Sequence, residues 1–163
     1  MKKVFIIIIS LLLINCGSTK SNALEAEEWI NAQNFIVKKP DNWRAVKHHG
    51  YVGYTPVKKG SNHFNTLASL FKFEFKEKPV FKEFVLKRIQ QTNSSSDIVS
   101  QDVSYYEGHY GDIYIHKLES VWSGNYYKKH IVYFERNGEF YYFKYSALKK
   151  SYNEYYKEAI SIL

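Results

Sequence analysis

Residues 34–163 read as one α+β domain, with helices laid on a mostly antiparallel sheet. Three observations carry that expectation. The chain holds 15 Tyr, 11 Phe and 3 Trp, and rings favour a pleated, half-buried surface. Four runs in the second half are strand-like and divided by short turn signals, one of them Asn137-Gly138. Within the domain, only 79–92 and 151–163 repeat apolar side chains at helical spacing.

In chain order, 35–37 is a brief strand and Pro40-Asp41-Asn42 a turn. Residues 43–47 alternate as a second strand, and 51–55 form a third that Pro56 ends. Over 63–75 the period is two: Leu67, Ser69, Phe71, Phe73 and Phe75 share one face, with Lys72, Glu74 and Lys76 opposite. Pro79 then opens a helix through 92, where Phe81, Phe84, Val85 and Ile89 make a stripe. Residues 93–96 (Asn-Ser-Ser-Ser) close it.

An antiparallel meander follows over 98–105, 112–122, 126–136 and 140–147. Its connections are EGHYG, Ser123-Gly124-Asn125 and Asn137-Gly138, and the last pair tolerates the positive φ that a tight hairpin requires. The last two strands are aromatic on both faces, which predicts cover on both sides. Ser151 and Glu154 have the spacing of a capping box for a final helix. Its apolar stripe is Tyr152, Tyr155, Tyr156, Ala159, Ile160 and Leu163.

Ahead of the domain, Lys2 and Lys3 precede an apolar run over 4–14, too short for the about 20 residues that span a bilayer. It ends Leu13-Ile14-Asn15-Cys16-Gly17, which resembles the bacterial lipobox, with Asn15 standing where Gly, Ala or Ser is usual. The resemblance implies cleavage before Cys16, a thioether lipid on its sulfur and acylation of the new amino terminus, a durable anchor. The competing reading is an uncleaved membrane helix with an incidental cysteine. The organisation expected is a signal peptide over 1–15, a lipidated cysteine and tether over 16–33, and the domain over 34–163. Within the tether, 24–32 forms a short helix of poor apolar spacing. Cys16 is the one cysteine, so a lipidated chain has no thiol for disulfides, cysteine-based zinc sites or nucleophilic catalysis.

A strand opening into Pro40-Asp41-Asn42-Trp43, a strand pair, a strand leading into an amphipathic helix, a meander and a terminal helix is similar to the PsbP-like fold. The family includes the photosystem subunit PsbP, the Ran-binding Mog proteins and related bacterial domains. The resemblance implies an α/β/α sandwich around a mostly antiparallel central sheet, and a protein-binding role without catalysis. No family binding residue maps onto this chain.

Chemistry is sparse. Without Lys2 and Lys3 the formal charge falls from +7 to +5, carried by scattered lysine pairs. That suits an anionic surface better than nucleic acid. Adjacent His48 and His49 point to opposite faces of a strand, and His116 and His130 are two ligands where zinc takes three or four, so no metal is expected. No nucleophile elbow, zinc-protease motif, P-loop or dinucleotide fingerprint occurs, and neither a catalytic residue nor a cofactor is expected. Tyr105, Tyr106 and Tyr110 gather at the EGHYG turn. They either fill half-wet strand positions or form a rim for protein or glycan recognition.

The function expected is a lipid-anchored binding module of the bacterial cell envelope, in the outer membrane, with an envelope protein as partner. The alternatives are an envelope immunity lipoprotein that neutralises a toxin and, third, a small hydrolase.

Overall fold

A computed structural model describes residues 37–48, 51–58, 65–95, 97–108 and 111–163. It contains β1 (Trp43–His48), β2 (Tyr51–Pro56), β3 (Thr66–Lys72), helix α1 (Phe81–Asn93), β4 (Ile98–Gly108), β5 (Gly111–Trp122), β6 (Asn125–Arg136), β7 (Glu139–Leu148) and helix α2 (Tyr152–Ile160). The strands make one antiparallel sheet in the order β1-β2-β3-β7-β6-β5-β4. The fold is α+β with a sheet core.

Tight hairpins build the second half. Asn137 and Gly138 have φ of 52° and 75°, and Ser123 and Gly124 have 48° and 74°. Positive φ at both central residues matches the right-handed twist of the flanking strands. The two halves are stitched by β3 against β7, with Ala68 opposite Tyr145 and Leu70 opposite Phe143. Helix α1 then carries the chain from the middle of the sheet to its far edge, where β4 pairs with β5.

Alternation along β6 and β7 divides the core in two. Val132, Phe143, Tyr145 and Ala147 lie with Trp43, Val52, Tyr54 and Ala68 beneath Tyr155 and Ala159 of α2. Ile131, Tyr133, Phe140, Tyr114 and Leu118 belong to the opposite pleat and pack on Phe81, Val85 and Ile89 of α1. The doubly aromatic strands are thus covered on both faces.

Several local expectations shift. Of the strand expected over 35–37, only Val37 is described, and it lies outside any strand. The strand expected over 63–75 is Thr66–Lys72; 63 and 64 lie outside the described residues. After Lys72 the chain leaves the ladder, although the Phe73 N–H still donates to the Phe140 carbonyl at 2.9 Å. Phe73 and Phe75 turn onto Phe84, at 4.8 and 5.1 Å between ring centres, so aromatic packing against α1 replaces strand pairing.

The capping box at Ser151 does not form. The serine Oγ donates back to the Leu148 carbonyl, and Lys58 holds the Glu154 carboxylate instead. Leu163 is exposed, and Ile162 takes the buried place at the end of the α2 stripe.

Candidate functional site

The feature with most binding potential is the edge strand β4. Eleven residues long, it pairs with β5 on one side and, among the described residues, ends the sheet on the other. A strand edge offers a row of backbone N–H and C=O groups to any chain that can align with it. Edges of this kind are ordinarily guarded by lysine, arginine or proline, and the run IVSQDVSYYEG has none. The other edge, β1, is six residues long and carries Arg44 and Lys47. The guards on β4 are limited to two acids, Asp102 and Glu107, and a break in register between Ile98 and Ser100.

Val99, Val103, Tyr105 and Tyr106 are exposed along this strand. Gln101, Val103 and Tyr105 share the α1 side, since they pair with Leu118, His116 and Tyr114. Tyr106, opposite Ile113, belongs to the other side. The two tyrosines are 50% and 55% exposed, yet as strand neighbours they face apart and do not form one patch. Tyr110 lies outside the described residues.

Tyr105 is held rather than free. Its hydroxyl donates to Asp112 Oδ1 at 2.9 Å, and its ring sits 4.9 Å from that of Tyr114. The bond to a carboxylate pushes the phenol up to about 12, so the ring stays protonated and fixed over the edge. Val103 continues that apolar stripe, and sequence reading did not single it out. The lack of any basic residue between Ile98 and Gly108, in so basic a chain, was the available signal.

The histidines fall on opposite sides of the sheet. Lys117 pairs with His130 and His116 with Ile131, so the two rings belong to different pleats and cannot share an ion. His116 is fully buried; its Nε2 meets Gln101 Oε1 at 3.1 Å, and burial lowers its pKa. That contact makes Nε2–H the donor and leaves Nδ1 without a partner among the described residues. His130 contacts the Tyr156 hydroxyl through Nδ1 at 3.2 Å, and its pKa is lowered to about 4 by burial and then by Lys117. The side chains of His48 and His49 and the anchor residue Cys16 lie outside what is described. Among the described residues, no three of His, Cys, Asp and Glu are grouped to hold a metal ion.

Two lysines add an unusual charge. Lys129 and Lys144 share the α1 face on adjacent strands, and burial lowers both pKa values. Asp97 acts on Lys129 from a distance, but neither amine makes an ion pair among the described residues. On the other face, Ser100, Asp102, Lys117, Glu119, Lys128 and Tyr152 line a depression of about 260 Å³ beside β4. Glu119 is gripped there by Lys149 at 2.7 Å and Lys128 at 3.2 Å, which holds its carboxyl below the usual range.

No protein-family model matches the chain, and no curated protein matches its sequence. Among solved structures it is similar to LpqN of Mycobacterium tuberculosis, described as involved in cell envelope biogenesis. The TM-score is 0.51 at 14% identity, over 78% of each chain. At that identity the likeness is one of fold. No helix among the described residues is long and apolar enough to cross a membrane.

Proposed function

We propose that this chain is a lipid-anchored module of the bacterial cell envelope that binds a protein partner by strand addition at β4, without catalysis. The observation that carries the reading is the long edge with no basic or proline guard and with exposed Val103 and Tyr105 on one side. Strand addition draws affinity from main-chain hydrogen bonds and selectivity from alternate side chains, which is what such an edge offers. The lipobox at Cys16 supports the anchor, and Gly17 after it favours the outer membrane of a two-membrane cell. The likeness to a protein of envelope biogenesis supports the setting, and the helix-on-sheet arrangement supports the PsbP-like α/β/α reading.

The test is co-purification from detergent-solubilised cells with the native protein, Val103→Lys and Cys16→Ala. Val103 is exposed, so lysine there guards the edge without emptying the core. A protein recovered with the native chain and lost with Val103→Lys supports strand addition; equal recovery refutes it. A resident envelope protein fits the main reading, and a toxin fits the alternative of an immunity lipoprotein. Loss of the partner with Cys16→Ala shows that the anchor brings the two together.

A further inference from the structure

The two ends of the sheet differ in what they expose. One end gathers the start of β1, the end of β2, the β5–β6 turn and the end of β7, as the pairs Trp43–Pro56, Trp122–Asn125 and Tyr127–Leu148 show. Trp122 and Tyr126 protrude there, 55% and 54% exposed, together with Val57. The turn that presents the two rings is stiff. Ser123 and Gly124 take its two positive-φ positions, and the Lys149 N–H donates to the Tyr126 carbonyl at 2.8 Å.

Trp122 and Tyr126 sit on opposite pleats of the hairpin, one to each side of its tip. A partner approaching either sheet face meets one ring. Only a surface met end-on, along the strand axis, engages both.

That end is also basic. Its strand termini and loops carry Arg44, Lys58, Lys149 and Lys150, with Lys38 and Lys39 shortly before β1, against Asp41, Asp97 and Glu158, whose carboxylate bonds Asn42 and Trp43. Glu154 holds Lys58 and Glu119 holds Lys149, which leaves an excess of cations. At the other end Glu74, Glu77, Glu107, Asp112, Glu135 and Glu139 offset Lys47, Lys72, Lys76, Lys78 and Arg136. A cleft of about 490 Å³ between Asn125, Tyr126, Leu148, Lys149 and Lys150 opens at the basic end. Tryptophan and tyrosine with an apolar body and a polar tip, flanked by lysines, are the side chains that settle at a lipid headgroup layer.

We infer that this end of the domain rests on an anionic phospholipid surface, with Trp122 and Tyr126 among the headgroups and Lys150 against the phosphates. The inference builds on the lipid anchor proposed above. The described chain leads into β1 at the same end, where Trp43 pairs with Pro56 and the Val57 N–H donates to the Asn42 carbonyl at 2.8 Å. Tethering raises the local concentration of the surface enough that a weak intrinsic affinity suffices to dock it. Docked this way, the β4 edge stands along the membrane normal and open to a partner from the side.

Lipidation of Cys16 makes an introduced cysteine the one free thiol, which permits single-site labelling of the full chain. Asn125→Cys places an environment-sensitive fluorophore at the basic end, and Glu107→Cys places one at the other end. Both proteins are reconstituted in phosphatidylcholine vesicles with and without phosphatidylglycerol, plus a trace of doxyl-labelled lipid. The expected result is a blue-shifted, quenched emission at 125 on the anionic vesicles and no change at 107. The response at 125 is lost in high salt or in Trp122→Ser/Tyr126→Ser. Equal signals from the two sites on protein that floats with the vesicles overturn the docking. An equal response on phosphatidylcholine alone overturns the assignment to anionic lipid. Protein that fails to float and still reacts with label at Cys16 overturns the anchor, and this inference with it.

Discussion

His130 makes stability depend on pH in a window that can be isolated. The ring is 5% exposed, on the α2 face of β6, with Lys117 opposite on β5, Tyr145 opposite on β7 and the Tyr156 hydroxyl at 3.2 Å from α2. Burial first and Lys117 second lower its pKa from 6.5 to about 4. Between those values the unfolded chain takes up a proton that the folded chain refuses. The contribution is therefore intact above about pH 6.5 and is lost as pH falls toward 4. One pKa unit corresponds to about 1.4 kcal/mol, so from pH 7 to pH 4.5 the folded state loses about 2 kcal/mol through this residue. His116, also buried with a lowered pKa, acts in the same direction. Glu119 and Glu154, held low by lysines, lose their contributions at more acidic pH. Urea unfolding of the wild type and His130→Gln at pH 7, 5.5 and 4.5 isolates the residue, because glutamine keeps a polar group near Tyr156 but does not titrate. The wild-type midpoint should fall by about 1 M more than that of the variant over this range. Parallel pH dependences in the two proteins would refute the assignment.

Three further substitutions probe the packing. Lys144→Met should raise the unfolding free energy by about 1 kcal/mol or more in urea melts at neutral pH, because burial depresses this amine and no ion pair compensates it among the described residues. Gly53→Ala should cost about 1–3 kcal/mol, since the new methyl would lie 2.5 Å from Leu67 Cδ1 and 3.3 Å from the Ala68 carbonyl oxygen in a packed layer. Trp43→Phe removes the indole N–H that donates to Glu158 Oε2 at 2.7 Å. Its cost should be about 1–2 kcal/mol in thermal or urea unfolding, limited because Asn42 still bonds that carboxylate.

Local order was legible from the chain alone wherever a short-range rule governs. Asn137-Gly138 required a hairpin because few residue pairs accept two successive positive φ values. The α1 stripe of Phe81, Val85 and Ile89 followed from three- and four-residue spacing, and the two-sided aromatic pattern of β6 and β7 required cover on both faces. Where a side chain had competing partners, local reading failed. Ser151 and Glu154 had the spacing of a capping box, but Lys58, distant in sequence, captures the carboxylate. Phe73 and Phe75 continued the alternation of β3, but the rings of α1 and β7 draw them out of the ladder.

The candidate surfaces divide the same way. Sequence sets Tyr105 beside Tyr106 and shows that 98–108 lacks lysine, arginine and proline. It cannot show that β3 pairs with β7 and so sends β4 to the sheet edge, because strand order depends on contacts between residues far apart in the chain. The same long-range pairing brings Leu148, Lys149 and Lys150 beside Tyr126 and places the start of β1 at that end. Composition and short-range geometry determined the elements; burial of two apolar faces against one shared sheet decided which residues were left outside.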